Sequence, residues 1–352
     1  MKITIITTLP PVIGISYFSI HLINALKEYF DEMEVINYKR FYPPFVKTKI
    51  YKTNFQKPKN LIEKVVLDLY NPLNWKNVLN EITNEIVLLE YWNFVQIPAF
   101  LYLSKTLKNK KVIIELHNVM SHETNIFEKL FLKELLKNVD KIIVHSESAL
   151  SYLKSFKNVL LNPFGYYKYP RVDKLYARNY LKITSDCFVV LFFGNVRKYK
   201  GLDILLRVFS EFSVDKNALL IVAGRFFENP QKYKKYINEK VMIINRFVED
   251  EEIPILFEAS DLLVLPYRRF DSQSGVVMLA LNYDKPYVIS NVGGLLDFKL
   301  DESLVFKNEI ELFKILNKIY YDGIKQDVFE KINYLKNFYS WESYAKRFVS
   351  AL

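Results

Sequence analysis

The strongest constraint on this chain is a repeated alternation. Short, nearly uninterrupted apolar runs rich in Ile, Val and Leu alternate with segments whose apolar residues recur at helical spacing. In the first half ITIITT (3–8), EIVLLE (85–90), KVIIEL (111–116) and KIIVHS (141–146) read as strands, with ISYFSIHLINALKEYF (15–30) and PAFLYLSKTLK (98–108) as helices. The second half repeats the alternation. FVVLFFG (188–194), ALLIVAG (218–224), KVMIINR (240–246), DLLVLPY (261–267) and KPYVIS (285–290) are predicted strands, and GLDILLRVFSEF (201–212) and IPILFEAS (253–260) predicted helices. Such continuously apolar strands belong to parallel sheets covered by helices on both faces. The two series flank the Pro-, Gly- and Tyr-rich stretch NPFGYYKYPRVDK (162–174). The expectation is an α/β chain of two Rossmann-like domains, residues 1–163 and 164–337. In an open parallel sheet the ligand sits beyond the carboxyl ends of the strands, which predicts a site in the cleft that both sheets face.

Composition narrows the function. A length of 352 residues fits two ordinary domains, and 50% apolar content with 16% aromatic residues excludes a disordered chain. The single cysteine, Cys187, excludes a disulfide framework and a Cys-based zinc site. His21, His117, His122 and His145 show no metal-ligand spacing, so no metal or resident cofactor is expected. The run IVLLEYWNFVQIPAFLYLS (86–104) is broken by Glu90, Asn93, Gln96 and Pro98, and reads as strand, loop and helix rather than a membrane span. The N-terminus reads as a first strand rather than a signal peptide. A cytoplasmic protein is the expectation.

Glycine is scarce: 9 residues where average usage gives roughly 25, so those retained should mark positions where the backbone requires them. Gly14, Gly194, Gly224, Gly275 and Gly293 follow or nearly follow predicted strands, where a chain turns tightly or approaches a phosphate. In FGNVRKYKG (193–201) a Lys and an Arg stand one turn before a predicted helix. Two readings of that spacing stay open, a diphosphate cradle and a solvated basic turn. No Walker-type or Gly-x-Gly-x-x-Gly loop occurs, which weakens NTPase and dinucleotide-oxidoreductase readings. In the stretch 266–297, Ser272, Gln273 and Ser274 precede Gly275 and an apolar helix. Small polar residues there can cap the helix and leave its amides open to an anion.

With these pieces in order, the chain resembles the retaining glycosyltransferases of family 4, which have the GT-B fold. The resemblance runs over essentially the whole chain. It rests on the N-terminal strand with its prolines and Gly14, ELHNV (115–119), IVHSES (143–148), NPFG (162–165), FGNVRKYKGLDILL (193–206), AGRF (223–226), DLLVLPYR (261–268) and, most of all, SQSGVV…KPYVISNVGGL. Trp341 in FYSWESYAKRF is similar to the family's final helix, so residues 338–352 are expected to complete the first domain.

The resemblance implies roles. Gly14 would let the backbone approach the donor diphosphate, and His117 would lie near the transferred sugar. Lys200 matches the diphosphate-binding lysine. The arginine usual five residues earlier is Asn195 here, and Arg197 is the cation available to replace it. Asp271 falls at the first Glu of the family's paired-glutamate signature and would contact sugar hydroxyls. Leu279 falls at the second and cannot hold a ribose hydroxyl, so nucleotide recognition differs. Ser274, Gly275 and Val276 match the backbone that meets the phosphates, and Asp297 reads as structural. The implied activity is metal-independent transfer, with retention, of a sugar from a nucleotide-sugar donor to a glycan or polyprenyl-linked acceptor. Phosphorolysis, or transfer to a small metabolite, is a neighbouring alternative. A non-catalytic nucleotide-sugar- or nucleic-acid-binding protein is the other reading, motivated by Asn195, Leu279 and the net charge of +10, although no nucleic acid partner is expected.

One further segment bears on the acceptor. Residues 39–62 contain Lys39, Arg40, Lys47, Lys49, Lys52, Lys57 and Lys59, no acid, and the interleaved aromatics Phe41, Tyr42, Phe45, Tyr51 and Phe55. A basic, aromatic surface loop suits an anionic membrane surface or glycolipid, single-stranded nucleic acid, or only solvent. The expectation is peripheral contact with the inner face of an anionic membrane.

Overall fold

A computed structural model of the chain describes residues 1–9, 15–42, 59–118, 126–166, 168–270 and 273–352. The chain divides into two compact units, Met1–Phe164 with Trp341–Leu352, and Gly165–Ser340.

The first unit holds strands β1 (Lys2–Ile6), β2 (Glu32–Arg40), β3 (Leu61–Asp68), β4 (Ile86–Tyr91), β5 (Lys111–Leu116), β6 (Lys141–Val144) and β7 (Val159–Leu161), with helices α1 (Ile15–Leu26), α2 (Pro72–Glu81), α3 (Ile97–Thr106), α4 (Ile126–Leu136) and α5 (Glu147–Tyr152). The strands form one parallel sheet in the order β3-β2-β1-β4-β5-β6-β7. The second unit holds α6 (Lys174–Tyr180), β8 (Phe188–Phe193), α7 (Leu202–Phe212), β9 (Ala218–Ala223), β10 (Val241–Ile244), α8 (Ile253–Ala259), β11 (Leu262–Leu265), α9 (Gly275–Asn282), β12 (Tyr287–Ser290), β13 (Val305–Phe306), α10 (Glu309–Asp322) and α11 (Gln326–Phe338). Its sheet is also parallel, in the order β10-β9-β8-β11-β12-β13. The last helix, α12 (Trp341–Ser350), belongs to the first unit, where Trp341 stacks on His21 of α1 at 5.5 Å. Each sheet thus has one topological switch point, between β1 and β4 in the first unit and between β8 and β11 in the second.

The apolar runs behave as their composition requires. Val189, Val190 and Leu191 of β8 and Leu262 and Leu263 of β11 have no exposed surface, as expected for strands covered on both faces. Helix α7 buries Leu202, Leu205, Leu206, Phe209 and Phe212, one stripe at i, i+3, i+4, i+7 and i+10. Where strand limits differ from the sequence reading, the end residue has other work. KIIVHS stops at Val144, and the Ser146 hydroxyl accepts from Ala149 N–H (3.1 Å) as the cap of α5.

Four strands lie outside the sequence reading: β7 and β13, which are only three and two residues long, and β2 and β3, which polar residues interrupt. Glu34 of β2 is buried and accepts from Thr4 Oγ1 (2.9 Å), Thr83 Oγ1 (3.0 Å) and Lys64 Nζ (3.2 Å). Strand β3 is an edge strand with only Leu67 fully covered. The segment read as a basic loop, 39–62, is therefore not a loop at its ends. Lys39 and Arg40 finish β2, Arg40 pairs with Asp68 at 2.8 Å, Phe41 is core, and Leu61 opens β3. Its remainder, 43–58, lies outside the described residues.

Candidate active site

In the second unit the switch point is built around three glycines. Gly194 follows β8 with φ +99°, Gly224 follows β9 with φ +146°, and Gly201 opens α7 with φ +65°. A Cβ on Gly201 would sit 1.9 Å from the Pro266 carbonyl oxygen, and one on Gly224 would sit 2.2 Å from that of Gly194. No side chain fits at either position, so the strand ends and the start of α7 pack backbone to backbone.

That packing fixes Lys200. Its side chain is 8% exposed, its Nζ lies 2.9 Å from the Cβ position of Gly194, and it stands 5.3 Å from the centre of the Tyr267 ring. Burial, and secondarily the positive charge of Arg197, push the ammonium down to about 8, so it remains charged at neutral pH while solvated far less than a surface lysine. Val276 Cγ2 approaches the same Gly194 position to 3.5 Å. The first turn of α9 therefore stands beside the lysine. Ser274 caps that helix, its Oγ accepting from Val277 N–H at 3.4 Å, and an added Cβ on Gly275 meets nothing within 4 Å. A buried ammonium and a helix start with an open glycine together offer positive potential and free amides to an anion.

Of the residues the sequence singled out, Lys200, Ser274, Gly275 and Val276 come together here. Asn195 lies exposed after Gly194. Arg197, also exposed, places its guanidinium 4.3 Å from the centre of the Phe227 ring. Leu279 is buried within α9, consistent with its having no ribose role. Gly14 and Asp271 lie outside the described residues. A cleft of about 680 Å³ opens beyond β11, β12 and β13, lined among others by Tyr267, Arg268, Ser290, Asn291 and Lys307. There Arg268 is bound to Asp203 through both terminal nitrogens, at 2.8 and 2.5 Å.

His117 belongs to the first unit, immediately after β5. Its ring stacks on Trp92 (centroids 3.5 Å) and meets the edge of Phe18 at 4.2 Å. Its Nε2 is buried without a hydrogen-bond partner among the described residues. Burial, and then His145, hold the imidazole well below the usual histidine range, so it is neutral at pH 7.

Beside it lies a network the sequence reading did not identify. Glu90 and Glu115 are register partners on β4 and β5, and both are fully buried. Thr7 Oγ1 (2.6 Å) and Ser19 Oγ (2.8 Å) donate to Glu90 Oε2, and Tyr344 Oη of α12 donates to Glu115 Oε1 at 2.5 Å. His145 Nδ1 lies 2.9 Å from the Asn162 carbonyl, which can only accept, so the proton is on Nδ1. Its Nε2 then presents a lone pair 3.5 Å from Glu115 Oε1, a contact that is favourable only if Glu115 is protonated. Burial, reinforced by Glu90, indeed holds Glu115 well above the usual carboxyl range. Burial raises Glu90 to about 7 and lowers His145 to about 4. The available signal was a glutamate near or at the end of two otherwise apolar runs, KVIIEL and EIVLLE. In a strand covered on both faces such a carboxyl must be buried.

Comparison with known proteins places this geometry. Residues 187–320 match the family described as glycosyl transferases group 1. Over 198 residues the chain is 27% identical to an uncharacterized glycosyltransferase of Methanocaldococcus jannaschii, covering 51% of this chain and 48% of that protein. It therefore spans about half that relative's length. It is also 23% identical over 330 residues to the lipopolysaccharide 1,2-N-acetylglucosaminetransferase of Salmonella typhimurium, covering 86% of this chain and 80% of that enzyme. Among solved structures it resembles the sucrose-phosphate synthase of Thermosynechococcus elongatus (TM-score 0.74, 17% identity, 99% and 98% of the two chains). It also resembles the Anabaena HepE protein in complex with UDP and glucose (TM-score 0.71, 16% identity, 99% and 98%). The fold is GT-B, and the family match with its relatives supports a glycosyltransferase.

Proposed function

We propose that this chain is a metal-independent, retaining glycosyltransferase of family 4 that moves a sugar from a nucleotide-sugar donor to a glycan or polyprenyl-linked acceptor. The observation that carries the reading is Lys200, a buried ammonium held against Gly194 beside the start of α9. When a nucleotide sugar reacts, negative charge develops on the departing diphosphate. A cation already stripped of water, fixed in place, stabilises that charge without reorganising, and such electrostatic stabilisation is usually the largest catalytic contribution. Lys200, Arg197 and the amides of Ser274, Gly275 and Val276 supply positive potential from protein groups alone. His117, neutral and with its Nε2 unpartnered among the described residues, suits a hydrogen bond to a sugar hydroxyl, and Asp271 and Gly14 keep the roles the resemblance gives them. The Anabaena protein carries UDP and glucose in its complex, and the Salmonella relative acts on lipopolysaccharide; both support the donor and acceptor classes.

Among the described residues no helix is long and apolar enough to cross a membrane. The same proposal places the protein in the cytoplasm, with residues 39–62 as the contact to an anionic membrane surface. A panel of UDP-, GDP-, ADP- and CMP-sugars tests the reading through thermal stabilisation, turnover in EDTA, and the anomeric configuration of the product. Stabilisation without turnover on any acceptor would favour the non-catalytic reading, which rests on Asn195 and Leu279.

A further inference from the structure

Most of the arginines placed around the second unit's strand ends are neutralised. Arg268 is paired with Asp203, Arg207 with Asp203 and Glu309, and Arg246 with Glu252. Arg197 and Arg225 are the exceptions. Their guanidinium carbons lie 4.3 and 5.2 Å from the centre of one ring, Phe227, and among the described residues neither has a carboxylate partner. Sharing a ring keeps two like charges within about 10 Å, one screening length at 0.1 M salt. Their mutual repulsion is offset only in part by the ring's negative face.

The backbone holds this arrangement in place. Val196 N–H donates to the Arg225 carbonyl (2.8 Å), Phe227 N–H donates to the Val196 carbonyl (3.0 Å), and Phe226 N–H donates to Asn245 Oδ1 (2.9 Å). The segments after β8, β9 and β10 are thereby tied together. Gly224, next to Arg225, packs on Gly194, and Gly194 lies under Lys200. The unpaired guanidiniums thus belong to the same end of the sheet as the buried ammonium, and the charge of Arg197 acts on Lys200.

We propose, resting on the reading above, that Arg197 and Arg225, spread over Phe227, form a clamp for the phosphates of a nucleoside diphosphate. The clamp replaces the cation that Asn195 lacks. Phe227 is a positioning residue: it sets the direction of both forks and touches no phosphate. A planar fork gives two parallel hydrogen bonds to a phosphate, which an ammonium cannot match.

The test is calorimetric titration of the full chain with UDP, GDP, ADP, the corresponding monophosphates and inorganic pyrophosphate, at two salt concentrations. Arg225→Ala should weaken the diphosphate that binds best by about 10-fold or more and flatten its salt dependence. Arg225→Lys should recover only part of the loss, and the monophosphate should lose less. Phe227→Ala should weaken binding and Phe227→Tyr should restore it, which a merely destabilised loop would not show. If Arg225→Ala and Phe227→Ala both bind the diphosphate within twofold of the parent while Lys200→Ala does not, the clamp is wrong and the functional reading stands. If the parent binds no nucleotide, the functional reading falls. Pyrophosphate binding that depends on Arg225 would then uphold an anion clamp alone, and its absence would remove that too.

Discussion

The two units share a parallel-sheet topology with one switch point each, yet the chemistry at those points is opposite. In the second unit the strand ends carry Lys200, Arg197 and Arg225, with Lys200 still charged at neutral pH despite its burial. In the first unit Glu90, Glu115 and His145 are buried and His117 is half-buried, against Phe18, Trp92, Phe164 and Trp341, and loss of solvent drives all four toward their neutral forms. The same topology thus yields a cationic crevice and a nearly uncharged one. What decides between them is whether the strand-end residue is a glycine that admits a cation from the following loop, or a carboxyl-bearing strand that must find partners inside the sheet. A diphosphate suits the first environment and sugar hydroxyls suit the second.

The sharpest way to break the comparison is at Gly201. With φ +65° and a Cβ position 1.9 Å from the Pro266 oxygen, Gly201→Ala should cost roughly 3 kcal/mol or more from strain and overlap combined. It should also lower nucleotide affinity, because α7 and Lys200 move together. Urea unfolding followed in parallel with nucleotide titration checks both. Unchanged stability would mean the glycine does not define the crevice. Lys200→Ala is gentler on the fold and harsher on chemistry: turnover should fall by about 10²-fold or more, as when one charge-stabilising donor is removed elsewhere. Near-normal rates would take Lys200 out of the site and leave the two crevices functionally indistinct. His117→Ala should lower turnover by about tenfold, the value of losing one ordinary hydrogen bond of about 1.4 kcal/mol, with nucleotide affinity untouched. A loss of nucleotide affinity instead would mean that the histidine acts on the donor.

How far each crevice could be read from sequence follows from the same contrast. Lys200, Gly194, Gly201 and the Ser274–Gly275 turn were legible because they follow strongly apolar strands, and their spacing from those strands is local. The parallel-sheet class was legible for the same reason. Strand β2 was not, since Glu34 and Asn37 look like surface residues until Thr4, Thr83 and Lys64 are brought to Glu34 from three other segments. Nor was the pairing of Glu115 with Tyr344, separated by 229 positions. Arg225 was visible only as part of AGRF (223–226) and Phe227 not at all, because their relation to Arg197 depends on β8 and β9 lying side by side.

The smallest effect distinguishes the first unit most directly. A carboxyl whose folded pKa is raised binds more protons folded than unfolded, so its contribution is present below about 4.3 and is lost as pH rises through the folded value. Glu90 and Glu115 both have this sign. A histidine whose folded pKa is lowered acts oppositely: for His145, stability rises with pH between about 4 and the unfolded value near 6.5, and His117 adds to it in the same direction. Below about pH 6.5 the two sets oppose each other. Above it only the carboxyls still titrate, so the first unit should lose stability from pH 6.5 to 8.5, with a slope of at most about 1.4 kcal/mol per pH unit for each group. Glu115→Gln removes one of those titrations while still offering Tyr344 an acceptor and His145 a donor. Its unfolding free energy should therefore vary less with pH than the parent's, and it should match or exceed the parent near pH 8.5. Parallel pH profiles offset by a constant would mean that Glu115 is ionised as readily as a surface carboxylate, and that the first crevice is charged after all.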